Sequence, residues 1–117
     1  MSKAITEAVI LILNKFDGWQ LEYNPSDQWG YDAHGYTPKN IPCVMKFHYD
    51  NKEPYISKQN YDKLMSVHDG VTILYVYVSR SINYLFWIPQ VTPKEDGDIL
   101  WLDKQDAKLI NFGERIL

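Results

Sequence analysis

The chain has 117 residues, 45% of them hydrophobic and 23% charged, with twelve Lys and Arg against fifteen Asp and Glu. That is enough chain for a single domain over 1–117 to bury a core; the lone cysteine, Cys43, rules out an internal disulfide and a cysteine-rich zinc site. The formal charge of −3, with the cations scattered, argues against a strong sequence-independent grip on nucleic acid, and the longest apolar run, Ala8 to Leu13, is far too short to cross a bilayer.

The first residues show no signal-peptide pattern, so no membrane attachment and a cytoplasmic location are expected. Ile5, Ala8, Val9, Ile12, Leu13 and Phe16 then recur at helical spacing behind Ser2, a capping residue, and Asp17-Gly18 ends the pattern. Ile10 and Leu11 widen the apolar face, which predicts a helix covered on more than one side. Trp19 to Tyr23 reads as a first strand, Asn24 to Asp27 as a turn, Trp29 to Tyr36 as a second strand and Ile41 to Tyr49 as a third. Asp50-Asn51-Lys52-Glu53-Pro54 breaks that strand. Ser57 is placed to cap a second helix, with Tyr61, Leu64 and Met65 on its apolar side and His68-Asp69-Gly70 at its end. Val71 to Val78 is apolar, β-branched and aromatic, which predicts a central strand covered on both faces. Ile82 to Ile88 is a further strand, Thr92 to Asp98 a polar loop and Ile99 to Leu102 a short strand. Asp103 is expected to cap a last helix reaching about Asn111. The order α-β-β-β-α-β-β with a C-terminal tail predicts an α/β or α+β sandwich around a mixed sheet.

Chemistry concentrates on the second and third strands. Side chains alternate along a strand, so Lys46 shares a face with Val44 and His48, opposite Cys43, Met45 and Phe47. Asp32 shares a face with His34, opposite Tyr31 and Ala33. Adjacent pairing brings Asp32 toward Lys46 with an imidazole on either side; Glu7 on the first helix and Gln59 on the second are further polar groups for the same cleft. A hard divalent cation wants carboxylate oxygens, and a lysine beside it can serve the attacking water or the developing charge. The plainer alternatives are a turn role for Asp32, since Asp favours turns, and an edge-strand role for Lys46.

Asp32, in Trp29-Gly30-Tyr31-Asp32, and Lys46, in Pro42-Cys43-Val44-Met45-Lys46, resemble the two motif positions of the PD-(D/E)xK nuclease superfamily, which includes archaeal Holliday-junction resolvases. The helix around Gln59 resembles the one that follows the motif. The resemblance implies a restriction-endonuclease-like mixed sheet flanked by helices, and Mg²⁺-dependent cleavage of DNA by Asp32, Lys46 and Gln59. Asp32 and Glu7 would hold the metal, and a homodimer would supply two cuts. The sequence departs from the pattern where Val44 stands in place of the usual acidic residue two positions before the lysine. Glu22, His48 and Asp50 are other groups that could stand in for it, and Asp50-Asn51-Lys52 is itself a D-x-K string. The alternative that follows from Val44 is a nuclease fold without chemistry, such as a phage or viral factor that binds a protein of a host or defence complex.

Overall fold

The computed structural model describes residues 3–24, 30–67, 70–79 and 82–110. Helix α1 (Lys3–Phe16) buries Thr6, Val9, Ile10, Ile12 and Leu13. Ile10 is buried, as the wider apolar face predicts, but Leu11 is 69% exposed, so the cover does not extend round the helix to Leu11. The chain leaves α1 at Gly18, whose positive φ suits a residue without a Cβ. The Asn14 amide then pins α1 to strand β1 (Gln20–Tyr23), giving and taking hydrogen bonds with the Leu21 backbone at 2.9 and 2.8 Å.

Strands β1, β2 (Ala33–Tyr36) and β3 (Pro42–Tyr49) form an antiparallel meander. At Gly35 any Cβ would run into the Gln20 carbonyl, so the β1–β2 contact requires glycine. The chain then crosses over through a short strand β4 (Tyr55–Ser57) and helix α2 (Lys58–Met65) to β5 (Thr72–Ser79), which lies parallel to β3. As expected, Ser57 caps α2: its hydroxyl accepts from Asn60 N–H at 3.1 Å. Strand β6 (Ile82–Trp87) returns antiparallel to β5.

Among the described residues the main sheet has six strands in the order β1-β2-β3-β5-β6-β9, with β9 (Ala107–Ile110) at its edge. Strand β5 is central, as its composition requires, and buried on both faces. On one face α1 packs Val9, Ile10 and Leu13 against Cys43, Met45, Phe47, Leu74 and Val76. On the other, Val44, Ile73, Tyr75, Tyr77, Tyr84 and Phe86 meet Leu64 of α2 and Ile56 and Leu100 of a small second sheet. That sheet is three-stranded, ordered β4-β8-β7, with β7 (Lys94–Asp96) and β8 (Ile99–Trp101). A mixed α+β sandwich results, as predicted.

Three further expectations are corrected. Asp103 caps a single 3-10 turn (Lys104–Asp106), not a helix, and the residues after it form β9 along the open edge of β6. Thr92 to Asp98 is not all loop, because Lys94–Asp96 pairs with β8. The described part of the second strand starts at Ala33, with Asp32 in the bend before it. The Ser2 cap, the motif residues Asp27 to Trp29, the turn residues His68, Asp69, Arg80 and Ser81, and Asn111 onward lie outside the described residues.

Candidate functional site

Asp32 sits where β2 parts from β3. Its N–H donates to the Met45 carbonyl at 2.9 Å, the first cross-strand link of the pair, and its carbonyl accepts from Asn24 N–H at 2.7 Å. One carboxylate oxygen, Oδ2, accepts from the Phe47 N–H at 2.8 Å. A side chain thus takes the place of the strand carbonyl that β3 would otherwise meet there, a local substitution for which Asp is well suited. Gly30 is held tightly by α2: a Cβ on it would meet the Lys63 side chain at 2.8 Å. Tyr31 packs into the α2-side core.

Lys46 is half-buried on the α2 face of β3, beside Tyr75 of β5 in register. Val44 lies on the same face, 5% exposed in that core, and His34 is opposite it on β2. The alternation read from the sequence is therefore correct for Val44, Lys46 and His48. Among the described residues no ion pair joins Asp32 to Lys46. His34 instead faces Glu22 at 3.3 Å on the exposed part of the sheet.

Glu7 is exposed on α1, which covers the opposite face of the sheet from Lys46. Gln59 is exposed in the first turn of α2, beside Lys58, which pairs with Glu95. Asp32 and Lys46 are brought to neighbouring positions; Glu7 and Gln59 are not joined to them by any hydrogen bond or ion pair among the described residues. No group of three or more His, Cys, Asp or Glu among the described residues is arranged to hold a metal ion. With Val44 apolar and buried and one Asp32 oxygen engaged by Phe47, the described residues do not compose the oxygen shell that Mg²⁺ requires.

A second constellation lies next to Lys46. The Tyr55 hydroxyl donates to Asp50 Oδ2 at 2.7 Å and stands 3.3 Å from His48 Nε2, which is 3.8 Å from the same carboxylate oxygen. The His48 ring stacks on Tyr77, with centroids 5.3 Å apart and planes 23° apart. Burial pulls the His48 pKa below the ordinary imidazole value, against the opposing pull of Asp50. The Tyr55 hydrogen bond holds the Asp50 carboxyl below its ordinary range. Asp50 also accepts from Asn51 N–H at 2.8 Å, so the Asp50-Asn51-Lys52 string is built as a turn. Tyr77 is fully buried and its hydroxyl has no hydrogen-bond partner among the described residues. Sequence reasoning missed Tyr55 and Tyr77. The alternating Tyr75-Val76-Tyr77 placed two aromatics on the Lys46 face and was the available signal. On the α1 face, Cys43 is the small core residue its position suggested, its thiol pushed up to about 11 by burial.

Comparison of the fold finds a solved structure with the same architecture over 97% of this chain and 95% of the other, at a TM-score of 0.66. It is Hjc of Archaeoglobus fulgidus. That protein is a Holliday junction resolvase from an archaeal hyperthermophile, and the two sequences are 12% identical. The likeness is one of fold: a restriction-endonuclease-like mixed sheet. No family profile and no curated protein sequence matches the chain. Among the described residues no helix is long and apolar enough to cross a membrane.

Proposed function

We propose that this is a nuclease-fold protein that acts on DNA phosphodiesters at the face of β3 carrying Lys46. The observation that carries the reading is the pairing of a resolvase-like fold with Asp32 and Lys46 at the strand separation. Lys46, without an ion-pair partner among the described residues, is the cation for a phosphate oxygen. Asp32 positions the Phe47 backbone beside it, and Gln59, exposed in the first turn of α2, is the further polar group assigned to the site. A homodimer acting in the cytoplasm would present two such faces to a duplex or junction, by analogy alone.

The test is cleavage of supercoiled, linear and branched DNA in Mg²⁺, in Mn²⁺ and in EDTA, beside Asp32→Ala and Lys46→Ala. Cutting that Lys46→Ala reduces 100-fold or more is the expected result. The three metal conditions are needed because Asp32 and Glu7, the carboxylates assigned to a metal from the sequence, belong to no larger ligand group among the described residues.

One observation favours a second reading. Val44, buried in the core where an acidic ligand would stand, suits a nuclease fold that has given up hydrolysis and binds a protein partner. No cutting on any DNA, together with no rise in melting temperature on adding Mg²⁺, would select it.

A further inference from the structure

We propose that His48 is the proton acceptor of this site, with Tyr55 and Asp50 as the residues that set its ring. The inference rests on the reading of the Lys46 face as a phosphodiesterase surface, and assigns a base to it.

The argument is one of hydrogen-bond accounting. Tyr55 has one hydroxyl proton, and the 2.7 Å contact commits it to Asp50 Oδ2. The Tyr55 oxygen facing His48 Nε2 at 3.3 Å can then only accept. Nε2 is therefore the ring nitrogen that carries hydrogen, and Asp50 at 3.8 Å favours the same arrangement. In the neutral ring the lone pair is left on Nδ1. Stacking on Tyr77 fixes the ring plane, and the His48 side chain remains 34% exposed, so the ring is partly open to solvent. His48 follows Lys46 by two residues on the same strand, so both project from one sheet face. A cation for the phosphate and a base for the water thus stand side by side, with an apolar Val44 next in line.

Among the described residues, the groups that bear on the ring's charge are Lys46 on β3, Asp50 after it, Tyr55 on β4 and Tyr77 on β5. Burial and Lys46 favour the neutral, proton-accepting ring; Asp50 opposes them. In the step itself the oxygen of water forms the new bond to phosphorus while its proton passes to His48 Nδ1. The phosphorus–oxygen bond to the leaving strand breaks, and that oxygen takes a proton from the Lys46 ammonium. The products are a phosphomonoester end and a hydroxyl end. Solvent then carries the proton from His48 back to Lys46. No electron transfer is involved.

Two measurements test this. Ring-nitrogen NMR of the intact protein should find His48 with hydrogen on Nε2 and a bare Nδ1 near neutral pH, and Tyr55→Phe should change that tautomer balance. A wild-type ring with hydrogen on Nδ1 would overturn the proposal whatever the activity. Cleavage should fall 100-fold or more in His48→Gln with DNA affinity kept, and the acid limb of the rate–pH profile should disappear with it. Tyr55→Phe should shift that limb. Wild-type cutting that His48→Gln leaves within about threefold would overturn the role of His48 alone. Absence of cutting by the wild type would instead remove the phosphodiesterase reading beneath it.

Discussion

Asp32 is a structural residue before it is a chemical one, because its carboxylate accepts the Phe47 N–H that β2 no longer pairs. Asp32→Ala leaves a donor without its acceptor and should cost about 1–3 kcal/mol in urea unfolding. Asp32→Asn keeps an oxygen acceptor and should stay within roughly 1 kcal/mol of wild type. A DNA-cleavage defect in the Asn variant therefore reports on chemistry, whereas one in the Ala variant mixes chemistry with folding. Tyr77 gives the opposite case. Its hydroxyl is buried with no partner among the described residues, so Tyr77→Phe removes a desolvated group and loses no bond to them. The variant should unfold at an equal or higher temperature, with a gain of up to about 1 kcal/mol. A clear loss would mean that the hydroxyl has a partner in solution.

Among the elements, β3 carries the decisive ambiguity: one face serves the α1 core, and the other is divided between core and site. Val44 belongs to the core part, packed with Ile73, Tyr75 and Leu64 in the same cluster. Val44→Glu would place an acidic residue two positions before Lys46, yet it would bury a carboxyl among apolar neighbours. The expected outcome is a loss of roughly 3 kcal/mol or more, with no recovery of melting temperature on adding Mg²⁺. Recovery would show that the position opens onto a metal cleft. Period-two alternation made the faces of β3 readable, and the near-continuous apolar run of β5 announced a strand covered twice. The alternation could not show that the α2-side face is half core, since that depends on where α2 and the second sheet come to rest.

For the molecule as a whole, pH links this site to stability. The His48 pKa is lowered in the folded state by burial, so the unfolded chain binds the proton more readily. Its stability contribution is complete above the ordinary imidazole value of about 6.5 and is lost as pH falls through the lower folded value. Asp50, also lowered, adds a second loss further down, below the ordinary carboxylate range. Urea midpoints taken from pH 8 to pH 4 should therefore be flat at first and then decline, and His48→Gln should remove the earlier part of the decline. An unchanged profile in that variant would show that His48 is not depressed.

The sequence by itself determined α1, the β1–β2–β3 meander, the capped α2 and the central β5, because helical spacing, strand alternation and capping chemistry are local properties. It also placed Lys46, Val44 and His48 on one face. The end of the chain was decided elsewhere. Asp103 to Ile110 is polar and helix-compatible when read alone, but the open edge of β6 offers Asn83 to Phe86 a ladder of backbone partners, and the segment becomes β9. The hairpin of β7 and β8 likewise exists because β4 stands ready to pair with β8. The bond from Asp32 to Phe47 and the Asp50–Tyr55–His48 chain have the same origin. Each joins groups whose meeting depends on a strand separation or a crossover, and only the tertiary structure sets those distances.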